Sequence, residues 1–385
     1  MACMMMFDKD KKDRLPGPRL ERALPPVSVQ PMYSEKGTET LTRPPNGYQR
    51  RRRDSGTQTD DNQEIVVQEE DLRTESSSAA RPQALQYEQR IQIGVAPAKA
   101  VITQHQASEF LSDLRQLRQS PHSVFGDEFE ILRRRATSRW KAREVAGMNS
   151  RKNRYEDIVP YDENRVPLSD GDYINASFID NYLSTKHFIA TQWPIGYEEF
   201  SNKEETVEEF WKMIWEHRVQ AIVSLSGIHD SLPTFWPPLR GMRRFGEISV
   251  EQEKSYEEAG VLVRVFTVHR REKRRRVHQF HITDWEDGCL VDEDKILSVA
   301  TKMKDFPRPV VVHCSAGAGR SGVFIAVSRL LSQAKQRGLI DVFSVVDTMR
   351  QQRVGMVQTR EQYESIYDLL RTAVETRLIT IHSRI

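Results

Sequence analysis

Beyond residue 104 the chain alternates between two hydrophobic periods. Ser108 can cap a segment with Phe110, Leu111, Leu114 and Leu117 on one side and Arg115, Gln116 and Arg118 on the other, the 3.6-residue repeat of an amphipathic helix. A second, short helix is predicted over Phe125–Leu132. Apolar runs rich in β-branched residues read as strands at Ala221–Leu225, Val261–Val268, Val277–Ile282 and Val310–Val312. Helical periods occupy 205–217, 293–304, 321–336 and 359–374. The last opens on a Thr359…Gln362 capping box and carries a stripe of Tyr363, Ile366, Tyr367, Leu370 and Val374. Strands that alternate with helices predict an α/β fold.

Residues 1–104 show neither period, and composition explains why. Half of the 18 prolines fall between Pro16 and Pro97, whereas all six tryptophans lie beyond residue 139 and Phe7 is the sole phenylalanine before Phe110. With polar and acidic stretches such as Ser76-Ser77-Ser78 and Glu69-Glu70-Asp71, this tail buries too little apolar area to offset its ordering entropy and is expected to be disordered. One large domain over 105–385 then holds the core.

A net charge of +2 gives no ground for nucleic acid or a membrane surface as partner. The basic runs Arg50–Arg53 and Arg270–Arg276 read as solvated faces, the second as a hairpin turn between two strands. Three cysteines (Cys3, Cys289, Cys314) without a CxxC pair argue against a disulfide framework or a zinc site and fit a reducing compartment. The first residues lack the order of a secretory leader, and no window reaches the ~18 apolar residues of a membrane span. A cytoplasmic location is expected.

The stretch richest in chemistry runs from Val310 to Gly322. It joins a buried strand to a helix through Cys314-Ser315-Ala316-Gly317-Ala318-Gly319-Arg320, a loop of small residues whose successive N–H groups can converge on an anion at the helix N-terminus. Arg320 adds a planar, two-pronged donor suited to phosphate oxygens. Such a ring of donors favours the thiolate of Cys314, giving a nucleophile, and Ser321 is placed to donate to that sulfur as it leaves.

His313 to Gly322 resembles the HCSAGxGRSG signature of the protein-tyrosine phosphatases, and the resemblance extends over about 105–380. Asn153-Arg154-Tyr155 with Asp157 is similar to the family's phosphotyrosine-recognition loop. Ala190-Thr191-Gln192-Trp193-Pro194 and Met356-Val357-Gln358-Thr359 with Gln362-Tyr363 are similar to two further segments of it. The wording around 339–363 most resembles receptor-type members. The resemblance implies a highly twisted mixed β-sheet flanked by helices on both faces, and hydrolysis of phosphotyrosine in proteins without metal or cofactor. It makes Asp287 the general acid and base on a mobile loop, and makes Gln358 and Gln362 the residues that place water. Tyr155 would line a slot for the substrate ring and Asp157 would hold the substrate backbone.

The sequence departs from the family at several places. Glu286 stands where the acid loop has proline, Trp193 where glycine is usual, and several added residues precede Phe210. Ser226–Phe235 is short and is expected to lack the acidic and lysine residues that brace the arginine and the acid loop. These changes support an alternative, a catalytically weak domain that binds and traps phosphotyrosine proteins. Two smaller expectations follow. Thr57-Gln58-Thr59 resembles the core through which extended segments add a strand to dynein light chain, although an idle polar stretch is the plainer reading. Cys289 lies near enough to Asp287 to form an oxidative disulfide with Cys314 on loop closure.

Overall fold

The computed structural model describes residues 104–120, 123–138, 141–227, 230–285 and 292–379. Glu286, Asp287, Cys289 and the Thr57–Thr59 segment lie outside the described residues.

A short strand β1 (Gln104–Gln106) precedes α1 (Phe110–Gln119), α2 (Val124–Ser138) and α3 (Glu144–Met148). The strands β2 (Ala176–Ile179), β3 (Phe188–Thr191), β4 (Ala221–Leu225), β5 (Met242–Phe245), β6 (Ile248–Glu258), β7 (Val261–Arg270), β8 (Lys273–Ile282) and β9 (Val310–His313) form one mixed sheet. Its order is β2-β3-β9-β4-β8-β7-β6-β5. Strands β3, β9, β4 and β8 run parallel; the pairs at either flank are antiparallel. Helices α4 (Val207–Glu216), α5 (Glu293–Lys302), α6 (Gly319–Arg337), α7 (Val342–Gln352) and α8 (Arg360–Glu375) complete the domain, with β10 (Leu339–Asp341) pairing β1.

The central strands are buried on both faces, and side-chain alternation sends their residues into two separate cores. Val310, Val312, Ala221, Val223 and Phe188 pack with α5, α6, α7 and α8, whereas Val311, Ile222 and Ile189 pack with α4. Each fully buried valine or isoleucine contributes roughly 1.5–3 kcal/mol. Helix α6 sits innermost and is buried on nearly every side, as its lack of a polar stripe requires.

The Arg270–Arg276 run is a hairpin, with Arg270 opposite Lys273 across a two-residue turn. The helix expected over Phe125–Leu132 continues to Ser138. Strands β2, β3, β5 and β6 and helix α7 are not among the predicted elements, although α7 spaces Val342, Val345, Val346 and Met349 at a helical period. The first half of β6 buries alternate residues, while Lys254–Glu258 are nearly all exposed, so its sequence is mostly charged.

Candidate active site

The loop after β9 is held open from behind. Its Ser315 carbonyl accepts from Trp193 N at 3.0 Å, and the Ala318 carbonyl from Gly322 N at 2.9 Å and Val357 N at 3.1 Å. The carbonyls of Gly317 and Ala316 accept from Arg353, whose Nε and Nη2 lie 2.8 and 3.1 Å away. With all four carbonyls tied outward, the loop amides are left facing the cavity, because each peptide unit directs its N–H opposite its C=O. Gly317 N lies 3.3 Å from Cys314 Sγ.

Gly317 makes this turn possible. Its φ is +70°, and a Cβ there would fall 2.1 Å from the Thr191 carbonyl oxygen, so only glycine fits. Helix α6 begins at once, with no side-chain cap at Ala318. Its first amides are therefore free of internal partners and add their partial positive charge to the cradle.

Arg320 is buried and points one nitrogen at two acceptors. Nη1 donates to Asp230 Oδ2 at 2.6 Å and to the Trp285 carbonyl at 2.7 Å. The expectation that Ser226–Phe235 lacks an acidic brace is thereby corrected: Asp230 supplies it from a shorter loop, its carboxylate also accepting from Gly227 N. The bond to Trp285 ties the start of the segment leading to Asp287 to this arginine.

Tyr155, Asp157, Ile158, Cys314, Ser315, Ala316, Arg320 and Gln358 line one cavity of about 180 Å³. The structure thus gathers residues from three distant segments that the sequence analysis singled out. Tyr155 forms its wall, its hydroxyl 2.6 Å from Ser315 Oγ. Gln358 and Gln362 overhang the loop, since a Cβ on Gly319 would meet their amides at 2.8 and 2.7 Å. The Ser321 hydroxyl is buried and makes no hydrogen bond, to Sγ or otherwise, among the described residues. A larger, more open groove of about 470 Å³ beside Leu297, Thr301 and Leu378 holds neither cysteine nor arginine, so size alone would mislead.

Behind the loop, His313 is fully buried with Nε2 2.7 Å from Ser224 Oγ, which also accepts from Gln279 Nε2. Burial, with His281 nearby, pushes its pKa down to about 3, so the imidazole is neutral at any ordinary pH. Trp193, where glycine is usual, packs its ring 4.9 Å from that imidazole and donates Nε1 to the Pro233 carbonyl. Sequence reasoning missed Arg353, Asp230 and Ser224. Arg353 carried no local signal, standing beside Arg350, Gln351 and Gln352 in a polar stretch.

A strand, a glycine-bearing loop and an uncapped helix that set main-chain amides and an arginine beside a cysteine sulfur form a site with the donors to take a tetrahedral oxyanion, the arrangement of a cysteine-dependent phosphatase. The family described as protein-tyrosine phosphatase matches residues 149–372, and the chain belongs to that family of phosphoric monoester hydrolases. Receptor-type tyrosine-protein phosphatase epsilon of Homo sapiens is 38% identical over 250 residues, 59% of this chain and 34% of that protein. Receptor-type tyrosine-protein phosphatase alpha of Homo sapiens is 38% identical over 245 residues, 59% of this chain and 29% of that protein. Receptor-type tyrosine-protein phosphatase eta of Homo sapiens is 34% identical over 280 residues, 67% of this chain and 20% of that protein. The chain spans about a third or less of these relatives' length. No described helix is long and apolar enough to cross a membrane.

Proposed function

We propose that this chain hydrolyses phosphotyrosine in proteins through a cysteinyl-phosphate intermediate. The supporting observation is the loop whose four carbonyls are tied outward, leaving its amides around the sulfur of Cys314. The Cys314 thiolate attacks phosphorus, and the bond to the tyrosyl oxygen breaks with its electron pair on oxygen. Asp287 protonates that oxygen. Water placed by Gln358 and Gln362 then attacks phosphorus, the S–P bond breaks, Asp287 takes the water's proton, and inorganic phosphate departs. Arg320 and the loop amides hold the equatorial oxygens throughout. Tyr155 stacks on the phenyl ring, and the depth it sets excludes phosphoserine. A thiolate nucleophile needs a reducing compartment, which favours the cytoplasm.

The test is turnover of 4-nitrophenyl phosphate and of a phosphotyrosine peptide by wild type, Cys314→Ser and Asp287→Ala. Wild type turns over both, Cys314→Ser neither, and Asp287→Ala loses roughly 10²–10⁴-fold in kcat. Glu286 beside the acid favours a second reading, a domain that binds the phosphotyrosine protein and holds it. Wild type that binds the peptide as tightly as Cys314→Ser does, without releasing phosphate, would select that reading.

A further inference from the structure

The residues added before α4 are built into the wall of the site. The backbone N of Arg154, beside Tyr155, donates to Gln192 Oε1 at 2.8 Å. Its buried guanidinium donates to both Glu199 oxygens, at 2.5 and 2.7 Å, and to the carbonyls of Trp193 and Pro194 at 3.1 and 3.0 Å. The Phe200 ring covers it at 5.3 Å. A second clamp lies further along. Glu204 N donates to the Arg151 carbonyl at 3.0 Å, while the Arg151 side chain pairs back with Glu204 at 3.1 Å. At the base of the loop Ile195 N donates to Thr206 Oγ1 at 2.9 Å, and Thr206 N to the Ile195 carbonyl at 3.0 Å. The loop is therefore fixed to the segment that carries Tyr155 and Asp157.

What this fixing leaves outside is specific. Tyr197 is 75% exposed and Phe200 39% exposed, and the Phe200 ring covers Arg154, the residue next to Tyr155 in the chain. Glu198 is exposed and makes no ion pair among the described residues, whereas Glu156, its side chain 84% exposed, pairs with Lys203 at 3.7 Å. Aromatic faces flanked by carboxylates attract a cation both through the ring quadrupole and by Coulomb attraction.

We infer that the loop 195–206 is a substrate-recognition shelf that takes an arginine or lysine side chain lying within a few residues of the phosphotyrosine. The inference rests on the phosphotyrosine reading of the Tyr155 cavity. Tyr197 and Glu198 carry the preference; Glu199 and Phe200 hold the shelf in place through Arg154.

The experiment compares phosphotyrosine peptides bearing arginine, alanine or glutamate at successive flanking positions, with 4-nitrophenyl phosphate as a probe that cannot reach the shelf. Wild type prefers arginine over glutamate in kcat/KM by roughly tenfold at one or more positions. The double variant Tyr197→Ala, Glu198→Lys loses that preference and turns over 4-nitrophenyl phosphate at the wild-type rate. The inference is overturned by a wild type indifferent to flanking charge, by a preference the variant retains, or by a variant equally slowed on the small probe. If wild type turns over no aryl phosphate, the phosphatase reading fails by itself. The same peptide panel is then read as binding to wild type, where the arginine preference and its loss in the variant decide the shelf separately.

Discussion

Two arginines divide the work around Cys314, and their surroundings tell them apart. Arg320 faces the cavity and keeps a carboxylate, Asp230, within 2.6 Å. Arg353 faces away from it, fully buried, with Nη2 on Asn175 Oδ1 at 2.8 Å and Nη1 on Ser177 Oγ at 3.1 Å besides the two loop carbonyls. Burial lowers its pKa to about 10, so it stays charged at neutral pH. Only a planar fork reaches four acceptors in three directions; an ammonium does not. Arg353→Lys is therefore expected to lower kcat/KM for an aryl phosphate roughly 10²-fold and to cost about 2–4 kcal/mol of stability. Steady-state kinetics beside urea unfolding checks both, and an unchanged kcat/KM would show that the loop holds its shape without the fork. The contrast also shows what a sequence displays at this scale. Arg320 was legible because cysteine, glycines and arginine act within seven consecutive residues. Arg353 and Asp230 act from 36 and 90 positions away, and no local pattern links them to the loop.

At the scale of elements, the start of α8 serves as both cap and site. Thr359 Oγ1 accepts from Gln362 N at 3.2 Å, while Gln362 Oε1 accepts from Gln358 N at 2.8 Å and Thr359 N at 3.4 Å. The amide oxygen is thereby committed to the backbone, and the NH₂ of Gln362 turns to the loop at Gly319. This capping box was legible because its two residues are three apart. Helix α7 was not, since Val342-Phe343-Ser344-Val345-Val346 has strand-like composition, although Asp341 caps it by accepting from Ser344 N and its buried side packs against α2 and α6. One turn further, α8 grips α2: Tyr363 and Tyr367 both donate to Glu128 Oε2, at 2.8 and 2.9 Å. Burial raises the Glu128 pKa to about 7, against the opposing effect of the two hydroxyls, with Asp341 adding to the rise. A carboxyl whose folded pKa exceeds its unfolded value binds its proton more tightly when folded. Its contribution is fully present below about 4.5 and is lost as pH rises to about 7. That amounts to about 3 kcal/mol at most. Glu128→Gln is expected to flatten the decline of unfolding free energy between pH 4.5 and 7, measured by urea titration; an identical slope in the variant would remove Glu128 from the account.

The whole molecule explains why one cavity draws on segments so far apart. Strands β3, β9, β4 and β8 are parallel neighbours, so their C-terminal ends, at Thr191, His313, Leu225 and Ile282, emerge on the same side of the sheet. Each leads straight into a loop of the site: Gln192–Pro194, Cys314–Gly319, the segment bearing Asp230, and the one bearing Trp285. This is the general position for ligands on open sheets with parallel strands. The sequence revealed three of those strands as apolar runs but not their order, because pairing is decided by long-range packing. Since Tyr155, Gln358 and the Cys314–Arg320 loop line the cavity, and Trp193, Asp230 and Trp285 tie the other three loops to that loop, an anion bound there bridges segments far apart in the chain. Vanadate, a phosphate-shaped oxyanion, should therefore stabilise the domain as a unit, by about 2.7 kcal/mol at a hundredfold excess over its dissociation constant. Arg320→Ala should lose most of that gain while unfolding in a single transition, because Asp230 then faces the cavity uncompensated and repels the ligand. Thermal unfolding with and without vanadate measures the difference, and equal stabilisation of the two proteins would mean that the anion binds somewhere other than this cradle.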